Sequence, residues 1–226
     1  MRDTPYALCC VETTPSTQDE ARRRFTGEPL LVVAARQTAG RGRLGRAWEE
    51  AERAVAATLA FRPNWPEEAW GRLTLAAGLA ARRALGGGVD LEWPNDLVRG
   101  RRKVGGLLTE AQAGTVAVGL GVNLWWPQPS VERAGSLYAN DPGPGAPQRV
   151  AAAWAHDLLR RVAAGPDAWG RQEYIACCVT LDQEVTWQPG GRGRAVGVSE
   201  DGGLEVQTAA GRRVLHAGEV HTVRPV

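Results

Sequence analysis

The sequence predicts an α+β protein, with a mixed β-sheet flanked by helices and then a small all-β domain. Over the first 176 residues, apolar strand-like segments are interspersed with amphipathic segments of helical spacing, as in a sheet that packs against helices. After Cys178 the segments become short and alternating, and glycine-rich turns separate them. We therefore expect a larger domain over residues 1–176 and a small β domain over residues 177–226.

The elements of the larger domain follow from periodicity and from start signals. Ser16, with Asp19 three residues later, predicts a helix over residues 16–25 that Ser16 caps. Amphipathic spacing predicts two longer helices over residues 66–85 and 150–169. Strands are expected over residues 30–35, 53–61, 89–93, 97–98, 103–110 and 115–121.

The small domain is predicted to be a barrel or sandwich, because five short segments alternate between turns that contain glycine. These segments cover residues 184–187, 194–199, 204–208, 212–215 and 220–223.

Composition excludes several classes of protein. No apolar run approaches the roughly 18 residues that a membrane-spanning helix needs, and the first residues lack a hydrophobic signal core, so we expect a cytoplasmic protein without membrane contact. The net charge of +2 is too small for a general polyanion surface. The four cysteines form two adjacent pairs, Cys9-Cys10 and Cys177-Cys178, which fit buried, reduced thiols better than a zinc or redox motif.

Positive charge is concentrated in two short segments, which suits a small anionic ligand. Residues 36–46 contain four arginines and no acidic residue. Residues 99–102 contain three arginines, and Lys103 follows directly. Lys103 is the only lysine among 27 lysines and arginines. Lysine carries a compact, rotatable point charge, whereas arginine carries a planar fork of donors, so a single lysine among arginines is a candidate catalytic or ligand-binding residue. Codon bias explains the composition equally well.

Two motifs support more than one interpretation by themselves. Gly40-Arg-Gly-Arg-Leu-Gly45 matches the dinucleotide fingerprint G-x-G-x-x-G, but no apolar helix follows it, so it indicates either an anion-binding loop or a solvated basic loop. Trp93-Pro-Asn-Asp96 comes at the end of a predicted strand, and by itself it is explained better by a tight β-turn than by a functional site. The glycines of Lys103-Val-Gly-Gly106 permit close approach of a ligand to the backbone.

Taken together, the motifs resemble those of the biotin protein ligases. The resemblance spans nearly the whole chain and rests on the order and spacing of Ser16-Thr17-Gln18, Gln37-Thr-Ala-Gly-Arg-Gly-Arg-Leu-Gly-Arg-Ala-Trp48, Trp93-Pro-Asn-Asp-Leu97, Lys103-Val-Gly-Gly-Leu-Leu-Thr-Glu110, Gly119-Leu-Gly-Val-Asn-Leu124 and Gly218-Glu-Val220. It implies a catalytic domain like that of class II synthetases and an SH3-like C-terminal domain. Glu92 departs from the family, which usually has lysine there, and Gln18 departs from its usual asparagine.

The resemblance implies an enzyme that joins biotin to ATP as biotinyl-5′-AMP and transfers the biotinyl group to a lysine of a biotin carboxyl carrier protein, with Mg²⁺ as cofactor. It implies catalytic roles for Lys103, Arg43 and Asp96. Biotin would contact Ser16, Thr17, Gln18, Gln37, Arg41, Gly42, Arg43, Lys103 and Gly106. ATP would contact Arg43, Trp48, Asn95, Lys103 and Asn123. The metal ligands stay unassigned.

Other functions remain open at this point. A lipoate or octanoyl ligase or transferase would share the architecture, and a non-catalytic ligand-binding module or an RNA-binding protein would also use basic loops. Only about fifteen residues precede Ser16, too few for a helix-turn-helix domain, so we expect no DNA binding. A homodimer is compatible with the family resemblance, but no sequence feature marks an interface.

Overall fold

The larger part of the chain contains a mixed β-sheet, as the sequence predicts, and this sheet has seven strands. The structure is a computed structural model that describes residues 4–188, 190–217 and 223–225. The strand order in the sheet is β1-β2-β3-β7-β6-β5-β4. The strands are β1 (Ala7–Thr14), β2 (Leu30–Gln37), β3 (Arg53–Phe61), β4 (Asp90–Glu92), β5 (Asp96–Arg99), β6 (Arg102–Gln112) and β7 (Thr115–Trp125).

Strand β1 was not predicted from the sequence. It pairs with β2 in parallel, whereas the other neighbours in this sheet are antiparallel. Most of its side chains are exposed because it lies at the sheet edge, so it lacks the apolar run that marks the buried β2. Its Cys10 is exposed, so the expectation of four buried thiols is wrong there, while Cys177 and Cys178 are buried.

Three helices pack around the sheet: α1 (Thr17–Arg24), α2 (Gly71–Ala84) and α3 (Ala146–Ala163). Ser16 occupies the N-cap position of α1, but its side chain makes no capping hydrogen bond, so that part of the prediction is wrong. The helix predicted over residues 66–85 begins as a separate 3-10 turn, Glu67–Ala69. The helix predicted over residues 150–169 is shifted toward the N-terminus because Gly165, at φ 95°, stops it.

Large buried side chains link the helices to one another. Trp154, on α3, is fully buried and donates its indole N–H to the Ala77 carbonyl of α2 at 3.1 Å. The Trp65 indole donates to the Val162 carbonyl at 2.8 Å. These bonds satisfy the one polar atom of each ring, so both tryptophans are core residues.

After the short helix α4 (Arg171–Ile175), the chain forms a second, antiparallel sheet with the order β11-β10-β9-β8-β12. The α+β prediction with a C-terminal β domain is therefore confirmed. The strands are β8 (Glu184–Trp187), β9 (Gly191–Val198), β10 (Leu204–Thr208), β11 (Gly211–Leu215) and β12 (Val223–Pro225). Residues 218–220, the proposed C-terminal signature, lie outside the described residues.

Hydrogen bonds join the second sheet to the first domain. The buried Trp93 ring, which follows β4, donates to the Gly202 carbonyl between β9 and β10 at 3.0 Å. Trp169 donates to the Glu200 carbonyl at 3.1 Å. The domain boundary near residue 177 stays a prediction. Within the described part of the chain, no helix is long and apolar enough to cross a membrane.

Candidate functional site

One cavity of about 640 Å³ collects the segments that the sequence singled out. Its walls are the start of α1, the loop after β2, the turn between β4 and β5, and the middle of β6 and β7. All the predicted site residues line this cavity, namely Ser16, Thr17, Gln18, Gln37, Arg41, Gly42, Arg43, Trp48, Asn95, Asp96, Lys103, Gly106 and Asn123. Convergence of segments more than 100 residues apart makes the cavity the candidate site.

A hydrogen-bond network fixes the polar end of the cavity. The side-chain amide oxygen of Gln37 accepts from the Thr17 backbone N–H at 2.8 Å and from the Thr17 hydroxyl at 3.0 Å. The buried Thr58 hydroxyl donates to the Thr17 oxygen at 2.9 Å. Glu50 accepts from the Gln37 backbone N–H at 3.0 Å and from its amide nitrogen at 3.3 Å. The Gln37 side chain is thereby oriented before any ligand arrives.

Glu50, which holds the site residue Gln37, was missed by sequence reasoning. It follows the arginine-rich loop and belongs to none of the recognised motifs, so only its contacts with Gln37 reveal it. Burial raises the pKa of the Glu50 carboxyl, and the hydrogen bonds from Gln37 oppose that rise.

Gln18 contributes a buried polar atom beside this network. Its amide nitrogen donates to the Leu108 carbonyl at 3.2 Å and to the Glu110 carboxylate at 3.0 Å. Its amide oxygen is buried and has no hydrogen-bond partner among the described residues. Gly119 lies directly against it, since a Cβ there would come within 3.4 Å of the Gln18 amide carbon.

The arginine-rich loop covers one side of the cavity. Asp19 accepts two hydrogen bonds from the Arg41 guanidinium, at 2.6 and 2.8 Å, which ties the loop to α1. Arg43 donates to the Asn95 side chain at 3.3 Å and to the Ala217 carbonyl of the C-terminal domain at 2.6 Å. Burial lowers the pKa of Arg43, so this cation is partly shielded from water. Leu44, at φ 59°, forms the exposed tip of the loop.

Lys103 lines the same cavity and lies near the start of β6. Its ammonium donates to Asp96 at 2.6 Å and lies 5.9 Å from the centre of the Trp48 ring. Its side chain is 37% exposed, which leaves the ammonium open to the cavity. Gly106 adjoins both side chains, since a Cβ there would make ordinary contacts of 3.6 Å with the Lys103 side chain and 3.5 Å with Asp96.

Two unsatisfied polar atoms lie in another part of the cavity. The Trp48 indole nitrogen and the Asn123 side-chain oxygen are buried, and neither has a hydrogen-bond partner among the residues that the structure describes. The Trp48 ring packs on the backbone of Gly121, where a Cβ would lie only 3.0 Å from the ring. Buried polar atoms normally have partners, so this donor and this acceptor are open to hydrogen bonds from a molecule in the cavity.

A second ion pair faces the same cavity. Glu92, whose side chain is only 12% exposed, lies 3.6 Å from the guanidinium of Arg133. Burial raises the pKa of the Glu92 carboxyl, while Arg133 opposes the shift. Arg133 belongs to an irregular loop over residues 126–138 that joins no recognised motif, so the sequence did not identify it.

Comparison with known protein families identifies both parts of the chain. The model of the Biotin/lipoate A/B protein ligase family matches residues 8–124. The model of the Biotin protein ligase C terminal domain matches residues 180–221.

Known relatives agree with these matches. The chain is 32% identical to the Biotin--[acetyl-CoA-carboxylase] ligase of Paracoccus denitrificans, over 92% of this chain and 97% of that protein. It is 37% identical to the Bifunctional ligase/repressor BirA of Bacillus subtilis, where the match covers 50% of this chain and only 38% of the relative.

Two solved structures are similar over nearly their whole length. The biotin protein ligase of Aquifex aeolicus in complex with biotin and ATP has a TM-score of 0.78 at 25% identity and covers 97% of this chain and 99% of its own. The biotin protein ligase of Leishmania major in complex with biotinyl-5-AMP has a TM-score of 0.65 at 27% identity, with 93% and 99% covered.

Proposed function

Because this chain belongs to the Biotin/lipoate A/B protein ligase family, we propose that it attaches biotin to a specific lysine of a biotin carboxyl carrier protein, with ATP consumed and biotinyl-5′-AMP as intermediate. The proposal is carried by one observation: the cavity of about 640 Å³ joins a preoriented hydrogen-bonding end to a cationic end and to two open polar atoms. The hydrogen-bonding end suits the head group of biotin, and the two open polar atoms suit a nucleotide. The cationic end suits the reaction of a carboxylate with a phosphate.

The polar end suits the ureido head group of biotin, which has one carbonyl acceptor and two N–H donors. Ser16, Thr17, Gln18 and Gln37 would surround it, and the unsatisfied Gln18 oxygen supplies an acceptor there. The preformed Thr17-Gln37-Glu50 network lowers the entropy cost of binding because the side chains need not reorient. Lipoate has a dithiolane ring without N–H donors, so the same atoms would stay unpaired.

The open Trp48 and Asn123 atoms suit the nucleotide. A nucleobase offers both donors and acceptors on its edge, as well as a flat face for an indole ring. Because Gly121 has no side chain, the Trp48 ring can pack on the Gly121 backbone in this position.

The cationic end would serve the first step. An oxygen of the biotin carboxylate attacks the α-phosphorus of ATP, the bond to the β-phosphate breaks, and pyrophosphate leaves. Two anions must meet, so the barrier falls if fixed cations hold both groups away from water. Lys103 and Arg43 both line the cavity and are the groups that would do so, while Arg41 and Gly42 hold the loop.

The second step transfers the biotinyl group. The amine of the acceptor lysine attacks the acyl carbon, the acyl-phosphate bond breaks, and AMP leaves. Asp96 is the carboxylate nearest to Lys103, and it would accept the proton that the incoming amine loses. Asn95, held by its bond to the Leu107 carbonyl at 3.0 Å, would position the acyl-adenylate.

Mg²⁺ fits this cavity as a companion of ATP. Within the described chain, no group of three or more His, Cys, Asp or Glu side chains is placed to hold a metal by itself. Mg²⁺ in nucleotide sites is commonly held by phosphates with one or two carboxylates, and Asp96 offers one on the cavity wall. The bound ion would offset negative charge on the phosphates.

A biotin-dependent exchange of labelled pyrophosphate into ATP tests the first step without any acceptor protein. We expect exchange with biotin and none with lipoate or with no acid added. Exchange with lipoate alone would favour a lipoate ligase, and no exchange with either acid would favour a non-catalytic module. A cytoplasmic location, a homodimer and the absence of DNA binding stay predictions.

A further inference from the structure

The ion pair between Glu92 and Arg133 has no part in the function proposed so far. Glu92 is the last residue of β4 and its side chain is 12% exposed, whereas that of Arg133 is 54% exposed. The two side chains face the same cavity as Lys103 and Asp96. Their separation of 3.6 Å exceeds a good hydrogen bond, so the pair holds Arg133 only weakly.

The backbone that carries Arg133 is nevertheless held firmly. Its carbonyl accepts from the Lys103 N–H at 2.8 Å, and the Gly135 N–H donates to the Lys103 carbonyl at 2.8 Å. Asn123 adds a hydrogen bond to the Gly135 carbonyl at 3.0 Å. Arg133 has φ 63°, a conformation that few residues without special constraint adopt. The loop therefore places Arg133 beside the residues proposed to meet the α-phosphate and the nucleotide.

The cations assigned so far do not account for all the phosphates of ATP. Asp96 already pairs with Lys103, and Asp19 already pairs with Arg41. A triphosphate carries several negative charges beyond the α-phosphate. An exposed guanidinium on an anchored backbone, with a weak partner, can reorient to such a group at little cost, and its planar donors match two phosphate oxygens at once.

We propose that Arg133 binds the β- and γ-phosphates of ATP and exchanges its ion pair with Glu92 for them. Glu92 is then a positioning residue that keeps Arg133 over the cavity when no nucleotide is bound. This inference rests on the proposed function, because it requires ATP in the cavity.

Calorimetric titration of ATP and of AMP into the full chain tests the proposal. Arg133→Gln removes the charge but keeps an unbranched polar side chain and the backbone groups that form the hydrogen bonds of the loop. We expect it to weaken ATP binding about tenfold or more and to change AMP binding less than about twofold, since AMP lacks the phosphates concerned. Arg212→Gln is the matched control, because Arg212 pairs with Glu205 in the C-terminal sheet with similar exposures of 57% and 20%. The control should bind both nucleotides as the wild type does.

The double variant Glu92→Gln with Arg133→Gln distinguishes direct binding from simple shielding of Glu92. If Arg133 touches the phosphates, the double variant stays as weak for ATP as Arg133→Gln. Recovery of ATP binding in the double variant, or equal weakening of AMP and ATP in Arg133→Gln, would overturn the inference. If Arg133→Gln binds ATP with wild-type affinity, only the inference about Arg133 is overturned. If the wild-type protein binds no ATP, the proposed function is overturned as well.

Discussion

Replacement of Lys103 is expected to separate catalysis from stability. The Lys103 ammonium lies 2.6 Å from Asp96, but its side chain is 37% exposed, so solvent screens the pair and its contribution to folding is at most about 1 kcal/mol. In the reaction the same ammonium would stabilise charge that develops on the α-phosphate. Loss of one such preorganised group typically slows a step by about 100-fold to 1000-fold. Lys103→Gln should therefore lose about that factor in adenylate formation while melting near the wild-type temperature.

Lys103→Arg sharpens the test because it keeps the charge. The lysine ammonium is a compact point charge 2.6 Å from Asp96, whereas a guanidinium is a planar fork that presents its donors in a different geometry. We expect this variant to form biotinyl-5′-AMP about tenfold more slowly or worse. Single-turnover assays with labelled ATP and thermal melting measure the two effects.

Arg101→Gln provides the matched control, since Arg101 is exposed in the neighbouring turn and does not line the cavity. It should react at the wild-type rate. Wild-type adenylation by Lys103→Arg and by Lys103→Gln would refute the role assigned to the ammonium.

Three further predictions test other parts of the structure. Gly121→Ala would bring a Cβ within 3.0 Å of the Trp48 ring, so ATP affinity measured by calorimetry should fall several-fold; unchanged affinity would contradict the position of the nucleotide. Hydrogen bonds from Arg53 hold the pKa of Asp141 at about 2, below its ordinary 3.8, so the pair should stabilise the fold above pH 4 and lose this effect as pH falls toward 2. Melting curves of Asp141→Asn should therefore lie below the wild type at pH 6 and converge with it near pH 2; a constant difference would count against this linkage. Trp93→Phe removes a buried hydrogen bond to the C-terminal sheet and should cost about 1–3 kcal/mol in denaturant unfolding, and no loss would show that this contact does not stabilise the fold.

Elements with strong local patterns were predictable from the sequence. The apolar run at Leu30 predicts β2, and the segment over Arg53–Phe61 has the same bounds in the structure. Strand β1 was missed because an exposed edge strand buries few side chains and needs no continuous apolar run. Two helix ends differ from the predicted ones. A 3-10 turn precedes α2, and Gly165 ends α3, and the amphipathic spacing indicates neither.

The candidate site was predictable as a set of motifs but not as a set of contacts. Glycines such as Gly106 and Gly121 mark close approach of the backbone, and the structure brings both to the cavity wall. Glu50 and Arg133 were missed because their partners lie 13 residues and 41 residues away, at distances that no local pattern encodes. Only the fold brings Glu50 and Arg133 to their partners.

The most direct test of the central claim is the mass of an acceptor carrier domain after incubation with this protein, MgATP and biotin. The proposed function predicts an increase by one biotinyl group on a single lysine, dependent on ATP and absent when the acceptor lysine is replaced. A carrier that stays unmodified with biotin but gains a lipoyl group when lipoate is supplied would contradict it.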